Sequence, residues 1–169
     1  LPDYFSDARP VEMVTLSPFF VDTTEVTNRA YAACVAAGAC NPPQNSQFYN
    51  DPNFAEHPAV YVNYDQAGDY CTWQGKRLPN EAEWEMAARW DPVTQTSYIW
   101  PWGNGFEPGR ANTLSAGQGG TSAVTAFEGD RSAYGVLGMS GNVTEWVLDW
   151  YFDGYTGLGT LNPTGPANQ

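Results

Sequence analysis

The run Leu78-Pro79-Asn80-Glu81-Ala82-Glu83-Trp84-Glu85 constrains the fold of this chain more than any other feature. It reads as a capping box, in which Asn80 accepts from the amide three residues on and Glu83 reaches back to the amide of Asn80. The glutamates of the first turns suit the positive end of the helix dipole. The pattern predicts a helix that runs to about Arg89. Two more helices are bounded by similar punctuation. Thr27-Asn28 opens an alanine-rich helix that Gly38 can close as the C′ residue. Asn63 caps a helix over Tyr64 to Trp73, which Gly75 can end. Residues 11–22 alternate and are β-branched or aromatic, which predicts one or two short strands. Val60-Tyr61-Val62 predicts a further extended piece. Residues 41–58 are rich in Pro, Asn, Gln and Asp and read as irregular loop. Past Arg89 the pattern is short strands and turns, rich in Gly and Trp. No repeat, low-complexity run or linker divides the chain.

A length of 169 residues suits one domain. Such a chain can bury about 70% of its unfolded surface and so build a core without metals or staples. The net charge is −12. Nucleic acid needs a basic footprint and anionic membranes attract basic segments, so the charge excludes both as natural partners. The charged fraction is low, whereas seven Trp, ten Tyr, seventeen Gly and thirteen Pro point to a loop-rich fold carried by aromatic packing. No apolar run approaches the ~20 residues of a membrane-spanning helix. The sequence opens at Leu1-Pro2-Asp3 without a signal peptide, which reads as a mature N-terminus or a fragment.

The three cysteines are Cys34, Cys40 and Cys71. A helix ending at Gly38 turns the chain back and can bring Cys40 to Cys34. A disulfide there implies an oxidising compartment, hence a secreted, periplasmic or cell-surface protein. Two free thiols in a reducing compartment are the alternative. The spacing does not match a zinc knuckle, and no His lies nearby. Cys71 is left over.

Four segments in order carry a resemblance. They are Phe20-Val21-Asp22-Thr23-Thr24-Glu25-Val26-Thr27-Asn28; Tyr70-Cys71-Thr72-Trp73-Gln74-Gly75-Lys76-Arg77-Leu78-Pro79-Asn80-Glu81-Ala82-Glu83-Trp84-Glu85; Trp100-Pro101-Trp102-Gly103-Asn104; and Gly135-Val136-Leu137-Gly138-Met139-Ser140-Gly141-Asn142-Val143-Thr144-Glu145-Trp146. Together they resemble the formylglycine-generating, sulfatase-modifying factor family over roughly residues 11–151. The resemblance implies an α+β fold, a loop-rich variant of the C-type-lectin-like fold with about three helices and short antiparallel strands. Residues 1–169 are read as a single domain of this kind, with truncation at either end left open. Active members of the family carry an Arg-Gly-Gly-Ser-type segment after the Glu-Trp motif, followed by copper-binding catalytic cysteines. These 169 residues contain neither, so the expectation is no copper site and no catalytic residues on this chain. The resemblance also makes Cys71 the match of a cysteine that pairs, in some members, within that later region. Here it is expected to be a buried free thiol.

The resemblance further implies calcium. Its expected ligands are the Glu145 carboxylate with the carbonyls of Gly141 and Val143. Gly138 stands where the family often has a side-chain ligand and offers only its carbonyl. Calcium takes six to eight oxygens, mixing carboxylates with carbonyls. Glu145 bonding backbone amides in a tight turn is the alternative. A second, weaker loop would begin at Asn112-Thr113, but the stretch Ser115-Ala116-Gly117-Gln118-Gly119-Gly120 supplies no acid, and Asn112 also suits a turn.

His57, the only histidine, has no nucleophile motif beside it and reads as structural. Trp73, Trp84, Trp100, Trp102, Trp146 and Trp150 read as core rather than as a sugar platform, each needing a partner for its indole N–H. Tyr151, Phe152 and Tyr155 could form a contact surface. Asp22, Asp65, Asp69, Asp149 and Asp153 form no defensible glycosidase pair. Two functions follow. One is a non-catalytic binding or scaffold module, secreted or envelope-facing, in a complex with a protein partner or a carbohydrate. The other is a fragment of a copper-dependent oxidase that converts a sulfatase cysteine to formylglycine.

Overall fold

Local capping sets all three α-helices of the computed structural model, which describes residues 12–151 and 159–166. Helix α1 spans Asn28–Ala36 and starts where the Thr27 hydroxyl accepts from the Ala30 amide at 3.1 Å. It ends as Gly38 adopts φ +73° and the Ala39 and Cys40 amides both donate back to the Cys34 carbonyl. That reversal puts the Cα atoms of Cys34 and Cys40 5.3 Å apart, and the two are joined in a disulfide. Helix α2, Tyr64–Trp73, has a full capping box in which Asn63 and Gln66 exchange bonds of 2.9 Å. The Gln66 amide nitrogen also donates to the Pro42 carbonyl at 2.7 Å, which ties the loop before the helix to its first turn.

Helix α3, Glu81–Arg89, has the predicted box. Asn80 Oδ1 accepts from the Glu83 amide at 2.7 Å, and Glu83 Oε2 accepts from the Asn80 amide at 3.0 Å. Arg77 closes on both Glu83 oxygens at 2.6 Å. This fork holds the buried Glu83 carboxyl below the usual carboxylate range. Asn80→Ala is expected to cost about 1 kcal/mol in urea unfolding, with Asn80→Ser recovering most of it.

The only named strands among the described residues are β1 (Trp90–Asp91) and β2 (Thr96–Ser97), an antiparallel pair matching Trp90 with Ser97 and Asp91 with Thr96. Of the strands expected over residues 11–22, none forms among the described residues 12–22. A strand needs a neighbour along its length, and there the described residues offer only a parallel bridge from Thr15 to Leu161. Val60-Tyr61-Val62 is not a strand either, because Tyr61 takes φ +61°. The α+β, loop-rich character stands; the strand content is lower than the alternating pattern suggested.

The core has two centres. Tyr31, Cys34, Cys40 and Tyr70 join α1 to α2, with the Tyr31 and Tyr70 rings stacked at 5.8 Å. Ala87, Ala88, Val136 and Met139 pack the end of α3 against the later loops, with Trp84 alongside. Of the six tryptophans expected in the core, only Trp84 packs, partly buried, against either centre. Trp73, Trp146 and Trp150 are 38%, 48% and 56% exposed, and Trp84, Trp100 and Trp102 are half-buried. For Trp102 and Trp146 the indole N–H gives the reason. Trp146 donates to the Val62 carbonyl at 3.1 Å and so pins two loops together near solvent, while Trp102 donates to the Gly105 carbonyl of its own turn at 2.9 Å.

Candidate functional site

Asn142 ties the segment 135–146 to three other parts of the chain. Its backbone sits at φ +66°, a left-handed conformation that asparagine tolerates better than most residues. Its Oδ1 accepts from Asn112 Nδ2 at 3.0 Å and from the Ser122 amide at 2.8 Å. Its Nδ2 donates to Glu25 Oε1 at 2.8 Å and to the Ser122 carbonyl at 3.2 Å. The Asn142 amide donates to the Asn112 carbonyl at 2.9 Å. Two glycines make this closeness possible. A Cβ on Gly141 would lie 2.6 Å from the Asn112 carbonyl oxygen, and one on Gly138, at φ +81°, would lie 2.5 Å from the Glu25 carboxyl carbon.

All six sequence-predicted ligand positions, Gly138, Gly141, Val143, Glu145, Asn112 and Thr113, line one cleft of about 660 Å³. The two loops that the sequence presented separately therefore face one cleft. Glu145 Oε2 accepts from the Trp84 indole N–H at 2.5 Å, not from backbone amides. Among the described residues the carbonyls of Gly138 and Val143 accept no hydrogen bond, whereas the Gly141 carbonyl takes the Val143 amide at 2.8 Å. Asn112 spends both amide protons, on Gly120 O and Asn142 Oδ1, and Thr113 pairs its hydroxyl with Ser115. The free donors around Glu145 are thus oxygens alone, of the hard type that suits calcium or magnesium rather than soft metals. Among the described residues no three His, Cys, Asp or Glu side chains stand in metal-holding geometry, so backbone carbonyls would have to supply much of any coordination.

Two carboxylates that the sequence did not single out contact residues of this cleft, Glu25 through Asn142 and Asp130 through Ser140. Asp130 is 1% exposed; its Oδ2 accepts from the Ser140 amide at 3.2 Å, while its Oδ1 has no partner. Glu25 Oε2 is likewise buried and unpartnered. Burial pushes the Glu145 carboxyl up to about 7, against the Trp84 bond and with the charges of Glu25 and Asp130 adding. Burial pushes Asp130 up to about 6, against the Ser140 bonds and with the charge of Glu25 adding. Glu25 is raised for the same first reason. Glu25 lies 117 positions from Asn142, and no sequence spacing signals that contact.

A second, larger cleft of about 1010 Å³ shares Trp84 and Glu145 with the first. Its walls include Phe19, Phe20, Val21, Tyr61 and Trp146, and Cys71 lines it. Cys71 is a free thiol, half-buried rather than fully buried. Burial, with the charge of Asp22, raises it above its usual range, so it stays protonated at neutral pH. His57 contacts Thr121 Oγ1 through Nδ1 at 3.0 Å and packs on Phe54, a structural role. Tyr151 is exposed, while Phe152, Asp153 and Tyr155 lie outside the described residues.

The fold, the cap motifs and the 135–146 loop belong to a recognisable class. The chain matches the family described as "Sulfatase-modifying factor enzyme 1-like domain" over residues 3–165. It is a member of that sulfatase-modifying family. It is 33% identical to a protein named "Formylglycine-generating enzyme" from Thermomonospora curvata, covering 89% of this chain and 66% of the relative. It is 33% identical to one named "Serine/threonine-protein kinase pkn1" from Chlamydia caviae, covering 95% of this chain and 28% of the relative. A mouse protein named "Inactive C-alpha-formylglycine-generating enzyme 2" is 41% identical over 57% of this chain and 33% of its own length. The chain therefore spans less than a third of the chlamydial relative and about two thirds of the Thermomonospora enzyme.

Proposed function

We propose that this domain is a non-catalytic binding or scaffold module, secreted or envelope-facing, that holds another protein or a carbohydrate within a larger complex. The observation that carries this reading is the apolar cleft of about 1010 Å³, which can receive a ligand but brings to it one thiol, Cys71, kept protonated by burial. The other two cysteines are joined to each other, so these residues supply no pair of thiolates for copper. The disulfide favours an oxidising compartment, and among the described residues no helix is long and apolar enough to cross a membrane. In the chlamydial relatives the matching part is 28% of the whole, as expected of a module joined to other sequence. The test is incubation with a Cys-x-Pro-x-Arg peptide, copper and oxygen. The expected result is an unchanged peptide mass; conversion of its cysteine to formylglycine would sink the reading.

The similarity to the Thermomonospora enzyme favours a second reading, a portion of an active copper oxidase. The intact mass of the native polypeptide separates the two, since a mass equal to that of these 169 residues leaves no room for further cysteines. A calcium ion is part of the first reading. Glu145 would hold it with the carbonyls of Gly138, Gly141 and Val143, and Asn112 and Thr113 would be weaker contributors from the facing wall. When bound, calcium would supply fixed positive charge that ties the loop; no chemical step is assigned to it.

A further inference from the structure

Two buried carboxylate oxygens stand without a partner among the described residues, Glu25 Oε2 and Asp130 Oδ1. An ionised oxygen taken out of water without a compensating contact is costly, so each calls for a physical reason. For Glu25 the surroundings supply one. Its other oxygen, Oε1, accepts from Asn142 Nδ2 at 2.8 Å, which sets the carboxylate against the loop 138–145. There it fills the space that a side chain at position 138 would take. A Cβ on Gly138 would lie 2.7 Å from both Glu25 oxygens. The glycine thus removes a side chain from the loop and admits a carboxylate from a distant part of the chain.

That carboxylate stands where the loop is short of negative charge for a cation. Glu145 brings one carboxylate, and Gly138 and Val143 bring carbonyls that accept no hydrogen bond among the described residues. Calcium is divalent and takes six to eight oxygens, so one carboxylate with carbonyls leaves half its charge uncompensated. Glu25, Val143 and Glu145 line one cleft together. Among the described residues no Lys or Arg forms an ion pair with either Glu25 or Glu145. Asp130 differs in access. It is 1% exposed, bonds the Ser140 amide through Oδ2, and lines neither cleft.

We propose that Glu25 is a calcium ligand, its buried Oε2 joining the Glu145 carboxylate and the loop carbonyls in place of the side chain that Gly138 lacks. This rests on the calcium site of the proposed function and adds a ligand from outside its two motifs. Two carboxylates then balance the charge of the ion. Calcium, when bound, would also tie residue 25, at the entry to α1, to the loop 138–145.

The experiment uses the whole chain. Calorimetric titration gives the calcium Kd. Terbium in the same site, excited through the Trp84 indole that bonds Glu145, reports its coordinated waters from luminescence lifetimes in H2O and D2O. Glu25→Gln keeps an oxygen to accept from Asn142 and puts a non-ligating NH2 at the other position. It should weaken calcium about tenfold or more and admit about one more water to terbium. Asp130→Asn removes the same charge nearby and should weaken calcium by no more than about threefold, with the water number unchanged. Glu25→Asp keeps the charge but draws it back by one methylene, and should lose affinity as well. It serves if Glu25→Gln does not fold, which a melting curve in chelator checks. Wild-type affinity in either Glu25 variant overturns the proposal and leaves the calcium site standing. So does an equal loss in Glu25→Gln and Asp130→Asn, or an unchanged water number in Glu25→Gln, since Glu25 then acts only as a nearby charge. If the wild-type chain binds no calcium, the site and the proposal fall together. Formylglycine formation in the oxidase assay would sink the binding-module reading without altering these binding constants.

Discussion

Asn142→Ala is expected to lower the unfolding free energy by about 4 kcal/mol, most of the 5–15 kcal/mol margin of a typical domain at its lower end. The side chain makes four hydrogen bonds, to Asn112, to both backbone groups of Ser122 and to Glu25. Alanine removes all four. It also strands partners, which costs more than the bonds themselves, because Glu25 already has one buried oxygen without a partner and would then have two unsatisfied. Alanine further lacks the tolerance of asparagine for φ +66°. Asn142→Gly separates the two causes. It relieves the backbone share and should recover about 1 kcal/mol relative to alanine, leaving the hydrogen-bond loss in place. Asn142→Asp keeps the acceptor positions but sets a carboxylate against Glu25, so its deficit should shrink as the pH falls. Urea denaturation of the three variants measures all of this. A deficit under about 1 kcal/mol for Asn142→Ala would mean that Asn112, Ser122 and Glu25 are held by the rest of the fold.

What could be read from the sequence follows the range over which each feature acts. The α3 box is set by Asn80 and Glu83, three residues apart, and its boundaries match. The Gly38 reversal is equally local and delivers Cys40 to Cys34. The α2 box was legible only in half: Asn63 stood out as a cap, while Gln66 as its reciprocal partner did not. Strand prediction over residues 11–22 failed because alternation reports a backbone suited to pairing, and pairing itself depends on a neighbour elsewhere in the chain. The tryptophans misled for a related reason. Their size suggests core, but the N–H groups of Trp102 and Trp146 are met by backbone carbonyls near solvent, which holds those rings at the surface. The expected ligand positions stand in the sequence as two short motifs, and their meeting in one cleft was not legible, since it is made by Asn142 reaching Asn112 and Glu25 across the chain. Asp130 gave no signal at all: its importance lies in being buried beside Ser140, a tertiary fact.

Without calcium, the protein should melt several degrees higher at pH 5 than at pH 7.5, and calcium should narrow that difference. Glu145 is pushed up to about 7 and Asp130 to about 6, from unfolded values of 4.5 and 3.8. Over that window the folded state keeps protons that the unfolded state has released. Their contribution to stability is therefore complete below the unfolded values and is lost as the pH rises toward 7. Below about pH 4.5 the trend turns, because Glu83 is held low by Arg77 and the stability it brings is lost as it protonates. Glu145→Gln mimics the protonated form, so it should melt above wild type at pH 7.5 in the chelated protein and flatten the upper part of the profile. A divalent cation beside Glu145 favours the carboxylate instead. Binding then stabilises the fold at pH 7.5 by about 2.7 kcal/mol at a hundredfold excess over Kd, which is several degrees for a domain of this size. It weakens as protons compete at pH 5. The same Glu145→Gln change that stabilises the chelated protein should abolish the calcium response. That opposed pair of effects separates a metal ligand from a carboxyl that only bonds Trp84: with a structural acid, Gln would still accept from Trp84 and the calcium response of the melting curve would be unchanged. Calorimetric melting with chelator and with added calcium, at both pH values, measures each step. A calcium shift that survives in Glu145→Gln would remove Glu145 from the site.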